Sequence, residues 1–343
     1  MEPRPPLVTV IVPNYNHARF LPLCLKAVQE QSYAPLEIVM VDDHSTDESV
    51  RIAESMGVTV IRTPVNSGPA VARNTGAGWA SGEILFFVDS DVALAPDAVA
   101  TGVALLRADP GLGAACGIED PEPLIRSTRV EDYRSLQHHY WSIGSEGEVS
   151  FLWSAMFAIR AEVFAETGPF NPLLKHTEEV DYGHRLSRRH TVLITSAIHG
   201  RMGHDRELPA LLRKLFHRGR TRVPLYASRR RFARGYETAS RAWASVAALL
   251  AVAALPLPLV LGPVATAVPA LLLAVSLACD AGMYRFVFSR RCPLFGLFFV
   301  GVHFLVNLVI IGGVAAGAVQ WLVSTRFRRL YETPAPAALG ARG

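Results

Sequence analysis

The sequence predicts an α/β fold, a mostly parallel sheet with helices on both faces, followed by a C-terminal helical region of transmembrane character. Three observations carry this reading. Between Leu7 and Val88, apolar runs of strand length alternate with helix-length segments. These runs are apolar throughout rather than alternating, as strands covered on both faces are. From Ala242 to Cys279 the chain has no charged residue over 38 positions, a run that soluble domains rarely contain.

The elements follow in order. Leu7 to Val12 is β-branched and forms the first strand, ending at Pro13. Phe20 to Gln31 carries Leu21, Leu25 and Val28 at helical spacing. Leu36 to Val41 is a second strand, stopped by Asp42 and Asp43. Ser45-Thr46-Asp47-Glu48 opens a helix, with Ser45 or Thr46 as its N-cap. Val58 to Ile61 is a third strand, Gly68 to Trp79 a helix of small residues, and Ile84 to Val88 the fourth strand. Beyond it come a helix from Pro96 to Arg107 and a strand from Gly113 to Ile118. Residues 119–150 read as polar and irregular, Phe151 to Ile159 as apolar again. Glu178 to Arg189 is a short helix and Leu208 to Tyr226 a basic amphipathic one.

Pro256, Pro258, Gly262 and Pro263 interrupt the uncharged stretch, which predicts a hairpin of two spans over 242–260 and 262–279. Arg285, Arg290 and Arg291 then mark a cytoplasmic loop. Pro293 to Val323, about 45 Å long as a helix, is either one tilted helix or two short ones broken near Gly312-Gly313. The expected organisation is an α/β domain over 1–228, a basic juxtamembrane linker over 229–241, three or four membrane helices over 242–324 and a polar tail over 325–343.

The net charge of +4 comes from 34 basic and 30 acidic residues, and arginines cluster between Arg201 and Arg241. Next to an apolar segment, this cluster predicts a membrane-flanking belt. No recognition motif accompanies it, so nucleic acid is not an expected partner. Cys24, Cys116, Cys279 and Cys292 have no C-x-x-C spacing. They read as reduced thiols, with the α/β domain facing the cytoplasm. Met1 to Pro6 lacks the apolar core of a signal peptide. The expected location is the inner or plasma membrane, multi-pass.

The chemistry concentrates at strand ends. The fourth strand runs into Asp89-Ser90-Asp91. In an open α/β sheet ligands bind beyond the carboxyl ends of the strands. Two carboxylates one residue apart at such an end supply hard oxygen ligands for Mg²⁺ or Mn²⁺, with phosphates completing the shell. Tyr15, in Pro13-Asn14-Tyr15-Asn16, is placed to stack on a base. Asp42 and Asp43 end the second strand, where a carboxylate accepts from a base N–H or ribose hydroxyls. Gly68 permits a turn, and Arg73 supplies a counter-charge to the acidic cleft.

Together V-T-V-I-V-P-N-Y-N, V-D-D-H-S-T-D, G-P-A-V-A-R-N and F-V-D-S-D resemble the nucleotide-binding half of a family-2 glycosyltransferase of GT-A fold. The resemblance is close over residues 7–100 and looser to about residue 220. It implies that Pro13 and Tyr15 line the nucleotide pocket and that Asp43 contacts the base with Asp42 in support. It also implies that Asp89 lies against the ribose or the metal and that Asp91 coordinates the metal. The family's general base falls at Glu179, a Glu in place of the usual Asp, with Glu178 and Asp181 as substitutes. His204 matches a histidine near the diphosphate or metal, with His199 as the competing position. The Q-x-x-R-W signature of processive synthases is absent, which implies transfer of a single sugar.

The expected protein is an inverting, metal-dependent, membrane-anchored glycosyltransferase. Its partners are a nucleotide-sugar donor, a lipid-linked or glycan acceptor and the membrane. A catalytically inactive scaffold retaining the nucleotide-binding fold is the alternative. A nucleotidyltransferase would want a Gly-rich basic loop after the first strand, and Pro13-Asn14-Tyr15-Asn16 is not one.

Overall fold

Four apolar strands, β1 (Val8–Asn14), β2 (Leu36–Asp42), β3 (Thr59–Arg62) and β4 (Ile84–Val88), pair in parallel in the order β3-β2-β1-β4. The computed structural model describes residues 4–174, 177–229 and 239–330. Helices α1 (Leu21–Gln29), α2 (Ser49–Ser55) and α3 (Pro69–Trp79) make the crossovers. All seven residues of β1 are buried because both faces of the sheet are covered. Val8, Val10 and Val12 enter one core layer with Leu21, Leu25 and Val28. Ile11, pointing the other way, enters a second layer with Ala70 and Ala72.

The chain continues through β5 (Val92–Leu94), α4 (Ala98–Ala108), β6 (Leu112–Glu119), α5 (Arg129–Ile143) and β7 (Gly147–Val149). Then come β8 (Met156–Arg160), α6 (Ala161–Thr167), α7 (Glu178–Leu186) and β9 (Thr191–Met202). The sheet extends as β4-β8-β6-β9-β5, with β7 also on β9. β8 lies antiparallel between β4 and β6, and β9 runs parallel to β6. β5 and β7 are antiparallel to β9. Hence β1 to β4, β6 and β9 share one direction, and their carboxyl ends open on one side.

Several expectations need correction. Residues 119–150 are not irregular: they hold α5, started by a capping box in which Thr128 Oγ1 accepts from Glu131 N and Glu131 accepts from Thr128 N at 2.7 Å. Neither Ser45 nor Thr46 caps α2, which starts after Glu48. Instead Ser45 Oγ accepts from Asn14 and from Asn16 N, and Thr46 N donates to Asn16 Oδ1. These bonds bind the β1 and β2 ends together.

The C-terminal helices are α8 (Leu208–Arg229), α9 (Ala239–Ala253), α10 (Leu257–Leu261), α11 (Ala267–Cys279), α12 (Ala281–Arg290), α13 (Pro293–Val323) and α14 (Thr325–Arg328). Among the described residues only α13 is by itself long and apolar enough to cross a membrane. The two full spans expected over 242–279 are instead the short helices α9 and α11, of 15 and 13 residues. A span needs about 20 residues. The apolar helix containing α11 meets α12 at a bend of 65°. The three or four spans expected thus reduce to one helix of sufficient length, plus one bent pair. Most of the expected linker, 230–238, and most of the tail, 331–343, lie outside the described residues.

α13 is continuous through Gly312-Gly313. Its glycines serve close approach rather than a break. A Cβ on Gly313 would lie 2.3 Å from Phe216 O of α8, and one on Gly317 would lie 2.5 Å from Arg220 O. Small residues one turn apart let two helix backbones touch. α5 docks on the same assembly: Tyr133, Leu136 and Trp141 pack with Leu211, Leu215, Phe299 and Val302. A buried polar chain reinforces the contact. Gln137 Nε2 donates to Tyr133 Oη at 2.7 Å, Tyr133 Oη meets His303 Nδ1 at 3.0 Å, and His303 Nε2 meets Asp280 Oδ2 at 3.1 Å.

Gly317→Ala should therefore destabilise the fold by about 1–3 kcal/mol through overpacking. Gly301→Ala, whose Cβ meets nothing within 4 Å, should be neutral or slightly stabilising. Thermal unfolding of the full chain in detergent checks the pair.

Candidate active site

The shared strand direction gathers five polar strand ends at one edge. At the end of β1, Asn14 Nδ2 donates to Asp42 Oδ1 at 3.1 Å. Asp42 is fully buried and also accepts from Ser45 N at 3.0 Å. Asp43 is spent on the loop before α3, accepting from Thr63 Oγ1 at 2.8 Å, Ser67 N at 2.9 Å and Gly68 N at 2.6 Å. Gly68 takes φ +94° to make this turn. The structure thus gives both carboxylates a positioning task, and Asp43 retains only 3% exposure. Pro13 is buried beneath them, while Tyr15 is exposed at the rim.

At the end of β4, Asp89 Oδ1 accepts from Arg73 Nη2 at 2.8 Å. Arg73 is buried on α3, and its Nη1 reaches Glu178 Oε1 on α7 at 2.9 Å. One guanidinium therefore joins the D-x-D segment to the helix that carries Glu179. Asp91 is half-buried, and its carbonyl accepts from Gly203 N at 2.7 Å, which ties β9 to the same corner. Burial raises the Asp91 carboxyl above its usual value and the Asp89 charge adds to this, while His17, Lys214 and His204 oppose it. His17 Nδ1 meets Ser90 Oγ at 2.9 Å.

β6 contributes a carboxylate that sequence reading missed. Glu119 is buried and contacts His204 Nε2 at 2.5 Å, His138 Nδ1 at 3.1 Å and Ser135 Oγ at 3.2 Å. Burial alone would raise it, but the His204 charge and the bonds from both imidazoles hold it down at about 2. The His204 charge is also felt at Asp91. The competing His199 pairs with Asp120 at 3.0 Å, on a half-exposed site.

α7 separates its acids as the 100° helical step requires. Glu178 faces Arg73. Asp181 turns to Arg185 Nε at 3.1 Å, and Arg185 continues to Thr167 O and Pro169 O. Glu179 lines a cavity of about 100 Å³ together with Asp89, His138, Trp153, Arg218 and Arg222. Burial and the neighbouring Glu178 push Glu179 up to about 8, against the opposing charges of Arg218 and Arg222. The structure thus brings Asp89 and Glu179 to one cavity and leaves Asp181 in the α6–α7 packing. Arg218 and Arg222, expected on a membrane-flanking belt, wall this cavity instead.

Among the described residues no three His, Cys, Asp or Glu side chains form a metal cage. Asp91 and His204 nevertheless suit a divalent ion whose shell is completed by phosphate oxygens and water. His204 gives Nε2 to Glu119, so Nδ1 is the nitrogen that would coordinate an ion. A carboxylate behind a histidine is the usual support for a metal ligand.

An open, mostly parallel sheet with acidic strand ends and an acid-bearing helix across the cleft defines the GT-A class of fold. The family model of glycosyl transferase family 2 matches residues 9–168. An uncharacterized glycosyltransferase of Haemophilus influenzae is 38% identical over 97 residues, 27% of this chain and 39% of that protein. The putative glycosyltransferase EpsH of Bacillus subtilis is 27% identical over 227 residues, 62% of this chain and 66% of its own length. The chain spans 39% and 60% of two Haemophilus influenzae relatives that it matches. Mannosyltransferase PcManGT from Pyrobaculum calidifontis, solved with GDP-Man and Mn²⁺, superposes with a TM-score of 0.56 at 20% identity, covering 91% of this chain and 87% of that one. That likeness is one of fold.

Arg73→Met should leave Glu178 buried without its cation and Asp89 unpaired. A loss of about 3–5 kcal/mol is expected, read from the denaturant midpoint. Arg73→Lys, a point charge that cannot fork between two carboxylates, should recover only part of it.

Proposed function

We propose that the chain is a membrane-anchored, inverting glycosyltransferase that moves one sugar from a nucleoside-diphosphate sugar to a lipid-linked or glycan acceptor at the cytoplasmic face. One observation carries the reading: Asp89 of the D-x-D segment and Glu179, an acid whose proton affinity is raised, line the same cavity. A nucleotide held at the ends of β1 and β2 would place its sugar there. Tyr15 at the exposed rim is positioned to stack on the base, above buried Pro13, while Asp42 and Asp43 hold the loops that shape that end of the cleft.

In this reading Glu179 takes the proton from the acceptor hydroxyl as it attacks the anomeric carbon. A single base and a single displacement invert the configuration. Arg73 holds Glu178 in place, and burial together with the neighbouring Glu178 raises the proton affinity of Glu179 for the task. Asp91 and His204 would hold a divalent ion, which neutralises charge on the leaving diphosphate when bound. PcManGT, solved with Mn²⁺, supports a divalent cofactor here, Mg²⁺ or Mn²⁺.

Membrane attachment is supported by the 31 residues of α13 and by the apolar turn beside α10, where Leu259, Val260 and Val264 are more than three-quarters exposed. Reduced cysteines, with Cys24 and Cys116 buried and unpaired, support a cytoplasmic active site.

Asp91→Asn should weaken metal-dependent donor binding, measured by calorimetric titration with Mn²⁺ and with chelator. Equal, metal-independent affinity in both proteins would remove the metal from this reading. Glu179→Gln should lower turnover by about 10²–10⁴ with the donor dissociation constant unchanged, whereas Asp181→Asn should chiefly reduce stability. The base works deprotonated, so with its proton affinity raised to about 8 the transfer rate should fall progressively as pH drops below that value. A rate flat from pH 6 to 9 would move the base elsewhere.

A further inference from the structure

Nε2 of His138 is a buried atom in the lining of this cavity that makes no hydrogen bond. His138, on α5, lines the cavity with Asp89, Trp153 and Glu179. Only 6% of the residue is exposed. Its Nδ1 is 3.1 Å from Glu119 Oε2, and Nε2 is buried with no hydrogen-bond partner. Such an atom in a cavity wall is costly unless a ligand satisfies it.

The chemistry of Nε2 follows from its neighbours. Glu119 Oε2 lies 3.1 Å from Nδ1, and a carboxylate only accepts. Nδ1 therefore carries the hydrogen. A neutral ring protonated on Nδ1 has a lone pair on Nε2. That lone pair repels an anion and calls for a donor. The cationic groups of the cavity, Arg218 and Arg222, lie on α8 instead. Trp153, its ring 5.5 Å from His138 and edge-on to it, adds an aromatic wall. A lone pair beside an aromatic face suits a sugar ring, which offers hydroxyl donors and an apolar C–H surface.

We infer that His138 is a specificity-determining residue whose Nε2 accepts a hydrogen bond from one hydroxyl of the sugar being transferred. Glu119 acts behind it as a positioning residue that fixes the tautomer. The inference rests on the glycosyl-transfer reading above and narrows it to donors carrying a hydroxyl at that ring position.

The test is equilibrium binding to the full chain in detergent with Mn²⁺, using UDP-glucose, UDP-N-acetylglucosamine, GDP-mannose, UDP and GDP. His138→Phe should weaken the nucleotide sugar that the wild type binds by about 10- to 100-fold and leave the free nucleotide unaffected. His138→Gln, which can present a carbonyl oxygen near the position of Nε2, should recover part of the loss. Equal weakening of sugar nucleotide and free nucleotide, or unchanged affinity for both, overturns the inference. Unchanged donor affinity with a raised acceptor KM gives the hydroxyl to the acceptor and overturns it too. A second measurement needs no variant. Deoxyfluoro analogues of the bound donor replace a hydroxyl with a group that cannot donate, and one ring position should lose affinity in the wild type. If no position does, His138 reads no donor hydroxyl. A wild type that binds no nucleotide sugar at all fails the functional reading itself, whereas normal donor binding with an indifferent His138 fails only this inference.

Discussion

The buried guanidinium of Arg73 is the interaction on which the site's geometry depends. It sits on α3, reaches forward to Asp89 at the end of β4 and across to Glu178 at the start of α7. Glu178 is buried and Asp89 half-buried, and two acids near one another repel. A forked cation between them resolves the conflict and fixes the distance between two segments 89 residues apart in the chain. Glu179 inherits its position from that contact, because helical geometry turns it away from Glu178 and into the cavity. Burial raises its proton affinity, and the neighbouring Glu178 adds to that.

Much of the first half was legible in the sequence, for a physical reason. β1, β2 and β4 are covered on both faces, so their composition is apolar without interruption, and each stops at a polar residue. The second half hides its elements. α5 buries Glu131, Arg134, Gln137 and His138, and a helix that buries polar side chains shows no amphipathic stripe. Only its capping box, Thr128 with Glu131, was visible as a signal. β9 is interrupted by a register shift where β6 passes from Gly117 to Ile118, and two adjacent residues, Ser196 and Ala197, are exposed. Its alternation is broken where a reader would look for it.

The same division applies to the site. Asp89, Asp91 and Glu179 stand in local motifs, so they could be singled out as candidates directly. Glu119, His138 and His17 depend on contacts across the fold. Glu119 reaches His204 over 85 residues and His17 reaches Ser90 over 73, and no spacing rule links such pairs. Asp42 and Asp43 illustrate the opposite limit. The motif marked them, but only the coordinates show that their oxygens are occupied by Asn14, Ser45, Thr63, Ser67 and Gly68. The arginines of α8 were read as a charge belt from composition. Packing against α13 turns two of them toward the cavity.

The near-contact of the α8 and α13 backbones at Gly313 and Gly317 makes the longest apolar helix the backing of a cavity wall. A modular enzyme, in which a catalytic unit hangs from an interchangeable tether, would leave that wall intact when the tether was exchanged. Here a chimera grafting residues 1–229 onto a foreign anchor would lose the surface on which α8 and α5 rest, and Arg218, Arg222 and His138 would lose their support together. The structural unit of this protein is therefore the sheet together with α8 and α13. A change in one is constrained by the shape of the other.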